Sequence, residues 1–215
     1  MLIAFEGPDL SGKSTLLGET AEWVRSQPGN LDKVVTLHSP GETELGKRLA
    51  KIVYESDTKI CKEAMRFIMA ADTAQMHNDI INPALDADKT VLVSRNRLSD
   101  YVYGLSAGID LGFMLKLFEL IPFRKSNLTF LCKCPFDLMC QRKKDRDGTD
   151  RFEADEAFMK RSWQIYNSLG MTNEDHGVFK YVSEKVIIIL DTSKPVEDSM
   201  AVVKACLMKE MFSEP

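Results

Sequence analysis

Apolar residues in this chain fall into short unbroken runs separated by longer stretches with helical spacing. Leu2–Glu6, Lys33–Leu37, Thr90–Val93, Leu128–Cys132 and Val186–Leu190 are the runs, and each predicts a strand. The last is an unbroken Val/Ile series suited to burial on both faces. Between them, apolar residues recurring every three or four positions predict helices over Lys13–Ser26, Thr43–Tyr54, Lys62–Leu85, Leu111–Ile121, Pro135–Arg142, Ala154–Leu169 and Val196–Met211. Pro83 falls near the end of the longest and Pro122 stops the fourth. Strands alternating with helices predict an α/β fold on a five-stranded parallel sheet flanked by helices.

One segment breaks the pattern. Arg142–Arg151 reads Arg-Lys-Lys-Asp-Arg-Asp-Gly-Thr-Asp-Arg, polar throughout. It reads either as a solvated loop or as a mobile cationic lid, here bounded as 142–153. At 215 residues the chain is expected to form a single domain, residues 1–215, with that lid inside it.

Composition narrows the class. The chain has 44% hydrophobic and 28% charged residues, which excludes a disordered or collagen-like polymer. Its 28 Lys+Arg against 32 Asp+Glu give a net charge of -4, which argues against a globally basic nucleic-acid binder. The N-terminus has no basic region before an apolar core, and no run approaches the length of a membrane span. With five cysteines, an odd number, these features lead to the expectation of a cytoplasmic protein with reduced thiols. Cys132 and Cys134 read as buried structural thiols, because no further ligands at short spacing complete a zinc site.

The strongest chemical signal is Gly7-Pro-Asp-Leu-Ser-Gly-Lys-Ser14, a G-x-x-x-x-G-K-[ST] motif between the first strand and the first helix. Gly7 and Gly12 let the backbone curl so that successive N–H groups face an anion. The helix beginning at Lys13 adds its positive end. Lys13 is placed to reach the β- and γ-phosphates of a nucleoside triphosphate, and Ser14 to offer a hydroxyl to Mg²⁺.

In folds of this type ligands bind beyond the carboxyl ends of the strands. His38-Ser39-Pro40-Gly41-Glu42-Thr43 follows the second strand, and Ser94-Arg95-Asn96-Arg97 follows the third. Arginines there match bidentate anion recognition. A lid holding Arg142, Lys143, Lys144, Arg146 and Arg151 would neutralise a transferring phosphoryl group and exclude water. That favours a kinase over a GTPase switch, as does the lack of an Asn-Lys-x-Asp segment.

Taken together, these motifs resemble those of the thymidylate kinase family, collinearly over nearly the whole chain. Phe5-Glu6-Gly7 through Thr15 resembles its F-E-G-x-D-x-x-G-K-[ST]-T opening, and Pro40-Gly41-Glu42-Thr43 with Leu45-Gly46 its R-E-P-G-G-T-x-L-G. Ala70-Ala71-Asp72-Thr73-Ala74-Gln75 stands at A-A-D-R-A-Q, and Asn82-Pro83-Ala84-Leu85 at K-P-A-L. Ser94-Arg95 with Ser99 and Tyr103 stands at D-R-x-x-x-S-x-x-A-Y, and Asp150-Arg151-Phe152-Glu153 with Phe158 at the lid signature.

The resemblance implies a three-layer P-loop fold and an ATP- and Mg²⁺-dependent transfer to a deoxynucleoside 5′-monophosphate. The acceptor would be dTMP or a related or modified pyrimidine deoxynucleotide. Lys13, Asp9, Arg95, Arg146 and Arg151 are the expected catalytic residues. Gly7, Ser11, Gly12, Lys13, Ser14, Thr15 and Arg142 are expected to hold ATP, with Ser14 on the metal. Asp9, His38, Pro40, Met69, Thr73, Gln75, Arg95 and Tyr103 are expected to hold the acceptor. Family members commonly pair as homodimers.

The departures cluster on the acceptor side. Met69 stands where the family stacks a Phe on thymine, Thr73 where an Arg contacts the base, His38 where an Arg holds the acceptor phosphate, and Ser94 where an Asp precedes the Arg. Leu10 replaces a P-loop Arg that some members carry, as in members that supply arginine from the lid. Viral relatives include broad monophosphate kinases and enzymes acting on a 5-hydroxymethyl pyrimidine in DNA, so the alternative reading is a kinase phosphorylating a 5-hydroxymethyl pyrimidine base in DNA. The mild acidity of the chain favours a small nucleotide over DNA.

Overall fold

In the computed structural model, the structure describes residues 1–55, 59–121, 123–146, 151–169 and 186–212; for 151, 211 and 212 it describes the backbone alone. Among these the strands are β1 (Leu2–Glu6), β2 (Val34–His38), β3 (Thr90–Ser94), β4 (Leu128–Lys133) and β5 (Ile187–Asp191). All pair in parallel, in the order β2-β3-β1-β4-β5.

The register brings the strand ends level. Phe5 lies beside Ser94, Ser94 beside His38, and Glu6 beside Leu131. β1 is thus the central strand. The chain visits β2 and β3 on one side of it and β4 and β5 on the other, so a crevice opens at its carboxyl end. Four of the strands begin or end one residue later than their apolar runs predict, because polar termini such as His38, Ser94, Lys133 and Asp191 still take part in the ladder. β5 departs from its expected environment. It is an edge strand, and Ile189 is 49% exposed. An unbroken apolar run does not say whether a strand has one neighbour or two.

The helices cover both faces. α1 (Lys13–Ser26) buries Leu16, Leu17, Ala21 and Val24 against Ile3, Phe5 and Phe130, and α10 (Val196–Phe212) adds Val203 and Leu207 to the same core. α2 (Glu44–Tyr54) starts at Thr43, whose side chain accepts from the Gly46 N–H at 2.9 Å. A Cβ on Gly46 would come within 2.3 Å of Asp72 Oδ1, so the close approach of α2 to α3 (Lys62–Met76) requires glycine.

The long helix expected over Lys62–Leu85 is divided. α3 passes into a π-helical turn, His77–Ile81, and then into α4 (Asn82–Asp86). The Asn82 N–H donates to the His77 carbonyl, five residues back. Pro83 brings no N–H and would crowd the carbonyl four residues earlier, and widening the turn before it relieves that clash.

A further helix, α5 (Arg97–Ser106), follows β3 and was not legible as one. It buries eight of its ten residues, including Leu98, Asp100, Tyr101 and Tyr103, so no amphipathic stripe marks it. α6 (Leu111–Glu119) ends two residues before Ile121. α7 (Phe136–Lys144) continues into the segment expected to be a lid, and α8 (Arg151–Ala154) lies on its far side. Residues 147–150 fall outside those described. α9 (Glu156–Ser168) begins at Asp155, which accepts from the Phe158 N–H at 2.9 Å and so separates it from α8. Among the described residues no helix is long and apolar enough to cross a membrane, and the five cysteines are free thiols, with Cys132 and Cys134 buried.

Candidate active site

A cleft of about 580 Å³ opens at the carboxyl ends of β1, β2 and β3. Its floor is the Gly7–Ser14 loop. Gly7 has φ +143° and Gly12 φ +87°, backbone states that side chains disfavour. A Cβ on Gly7 would lie 2.5 Å from the Cys132 carbonyl oxygen, so the loop can press onto β4 only with glycine there. Leu10 also takes a positive φ of 63°.

Lys13 is 5% exposed, and its Nζ donates to the Pro8 carbonyl at 2.5 Å and to Ser11 Oγ at 3.4 Å. Burial, helped by the like charge of Arg95, pulls its ammonium down to about 8. Ser11 is fully buried under the loop, while Ser14 and Thr15 are exposed on the first turn of α1 and line the cleft.

Across from this loop, Arg95 leaves β3 with φ +67°. A bulky residue holds that conformation only when its surroundings fix it. Here the Arg95 N–H donates to the Phe5 carbonyl at 3.0 Å, and its Nη2 forms an ion pair with Asp9. The guanidinium stacks 4.9 Å from the Tyr103 ring centroid, and the Tyr103 hydroxyl donates to the other Asp9 oxygen. Burial pushes the Asp9 carboxyl up, but Arg95, Lys13 and the Tyr103 hydroxyl together hold it below the usual carboxylate range. Arg95 Nη1 is buried and, among the described residues, has no hydrogen-bond partner.

A second, narrow pocket shares Asp9, Ser39, Tyr54 and Arg95 with the cleft and runs inward past Pro40 to Met69, Arg66, Asp100 and Phe152. Ser39 and Gly41 are shaped by Asp72, which accepts from the Ser39 hydroxyl and the Gly41 N–H, each at 3.2 Å. His38 is exposed at the end of β2 and lines the larger cleft, its backbone N–H donating to Glu42 at 2.6 Å.

Most of the expected site residues therefore converge, with several qualifications. Thr73 is 1% exposed, lies outside the lining of both pockets, and spends its hydroxyl on the Met69 carbonyl at 3.0 Å and Asp100 at 3.3 Å. Gln75 lines neither pocket and donates to Asp79 at 2.7 Å. Arg142 lines the cleft, but it bridges the Leu10 and Thr192 carbonyls at 2.9 and 2.7 Å and so clamps the phosphate loop to the β5–α10 connection. Arg146 faces the cleft from an exposed position and pairs with buried Glu153 at 2.6 Å. The Arg151 side chain lies outside those described.

Other residues of the site were not among those expected to hold a ligand, although Glu6 and Ser99 belong to matched motifs. Glu6 accepts from the Asn96 N–H at 2.8 Å and from Ser99, which also contacts the Tyr166 hydroxyl at 2.8 Å; this network fixes α5 beneath the pocket. Thr192, Lys194 and Ser199 wall the cleft from the β5–α10 side, where Asp-Thr-Ser-Lys after the last strand was the only available hint. Arg66 sits at a position that reads as ordinary helix, and Asp100 lies on α5, which the pattern did not show as a helix.

Comparison with known proteins agrees with this geometry. A family model described as thymidylate kinase matches residues 5–202. A thymidylate kinase of Thermosipho africanus is 26% identical over 99% of this chain and 100% of its own length. A probable thymidylate kinase of Pyrococcus horikoshii is 31% identical over 70% of this chain and 73% of its own. The crystal structure of thymidylate kinase from Ehrlichia chaffeensis has the same fold, with a TM-score of 0.71 at 20% identity, covering 95% of this chain and 98% of that one.

Proposed function

This chain belongs to the thymidylate kinase family, and on that premise we propose that it transfers the γ-phosphoryl group of ATP to the 5′-phosphate of dTMP. The observation that carries this reading is Arg95. One of its nitrogens is held by Asp9 while Nη1 stays buried and unpartnered, at the mouth shared by the phosphate cleft and a narrow pocket. An unpaired buried guanidinium donor is costly unless an anion completes it.

The chemistry follows from charge placement. An oxygen of the acceptor phosphate, already an anion, attacks the γ-phosphorus, and the bond from that phosphorus to the β–γ bridging oxygen breaks. ADP leaves with that electron pair, and dTDP forms without a general base. Lys13 and the first turn of α1 meet the charge on the β- and γ-phosphates, and Arg146 adds positive charge from the lid side. Arg95 holds the acceptor phosphate in line. Asp9 and Tyr103 hold Arg95. Ser14, with oxygens of the triphosphate, makes a hard oxygen set suited to Mg²⁺, which when bound neutralises the same phosphates.

An acceptor panel at fixed ATP tests this reading. ADP release is expected with dTMP. Release with no free deoxynucleoside monophosphate, or label incorporation only into hydroxymethyl-bearing DNA, overturns it.

Tyr103→Phe removes one donor from Asp9 and leaves the ring beneath Arg95. The KM for dTMP should rise roughly 10- to 100-fold, as for loss of a hydrogen bond to a charged group, with the KM for ATP nearly constant. Steady-state kinetics in both substrates checks this. An unchanged acceptor KM would show that the Tyr103 hydroxyl does not position Arg95.

A further inference from the structure

The family's base-contacting arginine is replaced by Thr73, and Thr73 does not reach the pocket. A different arginine does. Arg66 lies two helical turns earlier on α3, on the face shared by Met69 and Thr73. It is 2% exposed, and among the described residues it has no hydrogen bond or ion pair. Its Nε is buried without a partner. It lines the narrow pocket but not the phosphate cleft, so it sits toward the end away from the phosphates.

A fixed cation in that situation has only partial compensation. The carboxyl that acts on it most strongly is Asp100 on α5, which is 6% exposed and lines the same pocket. Asp100 accepts from the Thr73 hydroxyl at 3.3 Å. Burial pushes its carboxyl up to about 8, against the pull of Arg66. The pocket therefore presents a forked donor beside a carboxyl acceptor, with the Met69 thioether and Phe152 as apolar walls.

Resting on the nucleotide-kinase reading above, we infer that Arg66 and Asp100 together read the acceptor base, selecting an edge in which a carbonyl oxygen adjoins a ring N–H. Arg66 donates to the carbonyl and Asp100 accepts from the N–H. Thymine and uracil present that edge at O4 and N3–H, and guanine at O6 and N1–H. Cytosine presents the reverse, an amino group beside a bare ring nitrogen, and meets Arg66 with the wrong polarity. The pocket holds about 30 Å³ in this structure, too little for either ring size, so the pattern of its polar groups and not its width does the selecting. The arginine lost at position 73 is thus replaced on the same helix face, and Thr73 becomes a support for Asp100.

Equilibrium titration calorimetry with dTMP, dUMP, dCMP and dGMP, on the full chain and on Arg66→Met, tests this without requiring turnover. The wild type should bind dTMP and dUMP at least about 10-fold more tightly than dCMP. Arg66→Met should weaken dTMP roughly 10- to 100-fold, as for loss of a charge-assisted hydrogen bond, and leave dCMP within about 3-fold. Asp100→Asn, which keeps a carbonyl acceptor, should retain most dTMP affinity, whereas Asp100→Leu should lose it.

Equal wild-type affinity for dTMP and dCMP, or an unchanged ratio in Arg66→Met, overturns the inference even if dTMP is phosphorylated. Discriminating binding with no phosphorylation would instead overturn the kinase reading and leave the pair standing. If Arg66→Met fails to fold, Arg66→Lys serves, since it keeps the charge but not the fork and should narrow the same ratio.

Discussion

Lys13→Ala should lower kcat by roughly 10²- to 10³-fold while the protein stays folded, the scale seen when one preorganised charge-stabilising donor is removed. The reasoning begins with burial. Lys13 is nearly enclosed beneath the loop, and its ammonium is held by the Pro8 carbonyl and Ser11. Water cannot substitute for a charge in that position, so the transition state loses its contact outright.

The same burial sets a pH signature. The charged form is the one that works, and its titration is pulled down to about 8. For the wild type, kcat/KM for ATP should therefore fall as pH rises through about 8. The sign for stability is opposite. A lysine with a depressed value favours the folded state most above its ordinary value near 10.5, and this contribution is lost as pH falls toward about 8. Near neutrality the buried cation opposes folding, and the alanine variant should melt no lower than the wild type. Turnover equal to wild type would refute the role of Lys13. A much lower melting temperature would show that its hydrogen bonds hold the loop.

Arg95→Ala should reduce kcat/KM for dTMP by roughly 10²- to 10³-fold and leave the KM for ATP nearly unchanged. Removing one partner of a hydrogen-bonded charge pair leaves the other charge uncompensated, which costs about 2–5 kcal/mol at interfaces. Asp9 would lose the cation that most lowers its titration, and an acidic group would then face the incoming acceptor phosphate. Arg95→Lys should recover little, because an ammonium cannot hold Asp9 and a phosphate through two separate nitrogens. Initial-rate kinetics with each substrate varied in turn decides the matter. A change confined to the KM for ATP would place Arg95 on the donor side instead.

The two predictions differ in how far the chain alone could have supported them. Lys13 is named by eight contiguous residues that also contain their own turn glycines and open their own helix. That arrangement is local, so its chemistry is legible without neighbours. Arg95 was legible as an arginine after a strand and as part of a family motif that also holds Tyr103, but not as one of a set of touching groups. Its partnership with Asp9 and Tyr103 comes from three separate segments, and its positive φ belongs to no propensity scale.

The segment expected to be a lid illustrates the same limit. Its cations were plain in the chain, but not that Arg142 clamps the phosphate loop or that Arg146 is paired with Glu153. The π-helical turn at His77–Ile81 was likewise hidden, since Pro83 signals a disturbance but not how the backbone absorbs it.

By itself the sequence determined the alternation of strands and helices, the parallel sheet and the phosphate cradle. Each depends on periodicity or on contacts within a few residues, and such short-range constraints are written directly into residue order. Only the tertiary structure showed that Arg66 and Asp100 line the narrow pocket beside the expected Asp9, Pro40, Met69, Arg95 and Tyr103. Arg66 is separated from Asp100 along the chain, and Thr73 and Gln75, although near Arg66, turn to other partners. Burial and the pairing of charges depend on what packs opposite, and packing between α3 and α5 is settled by the whole core.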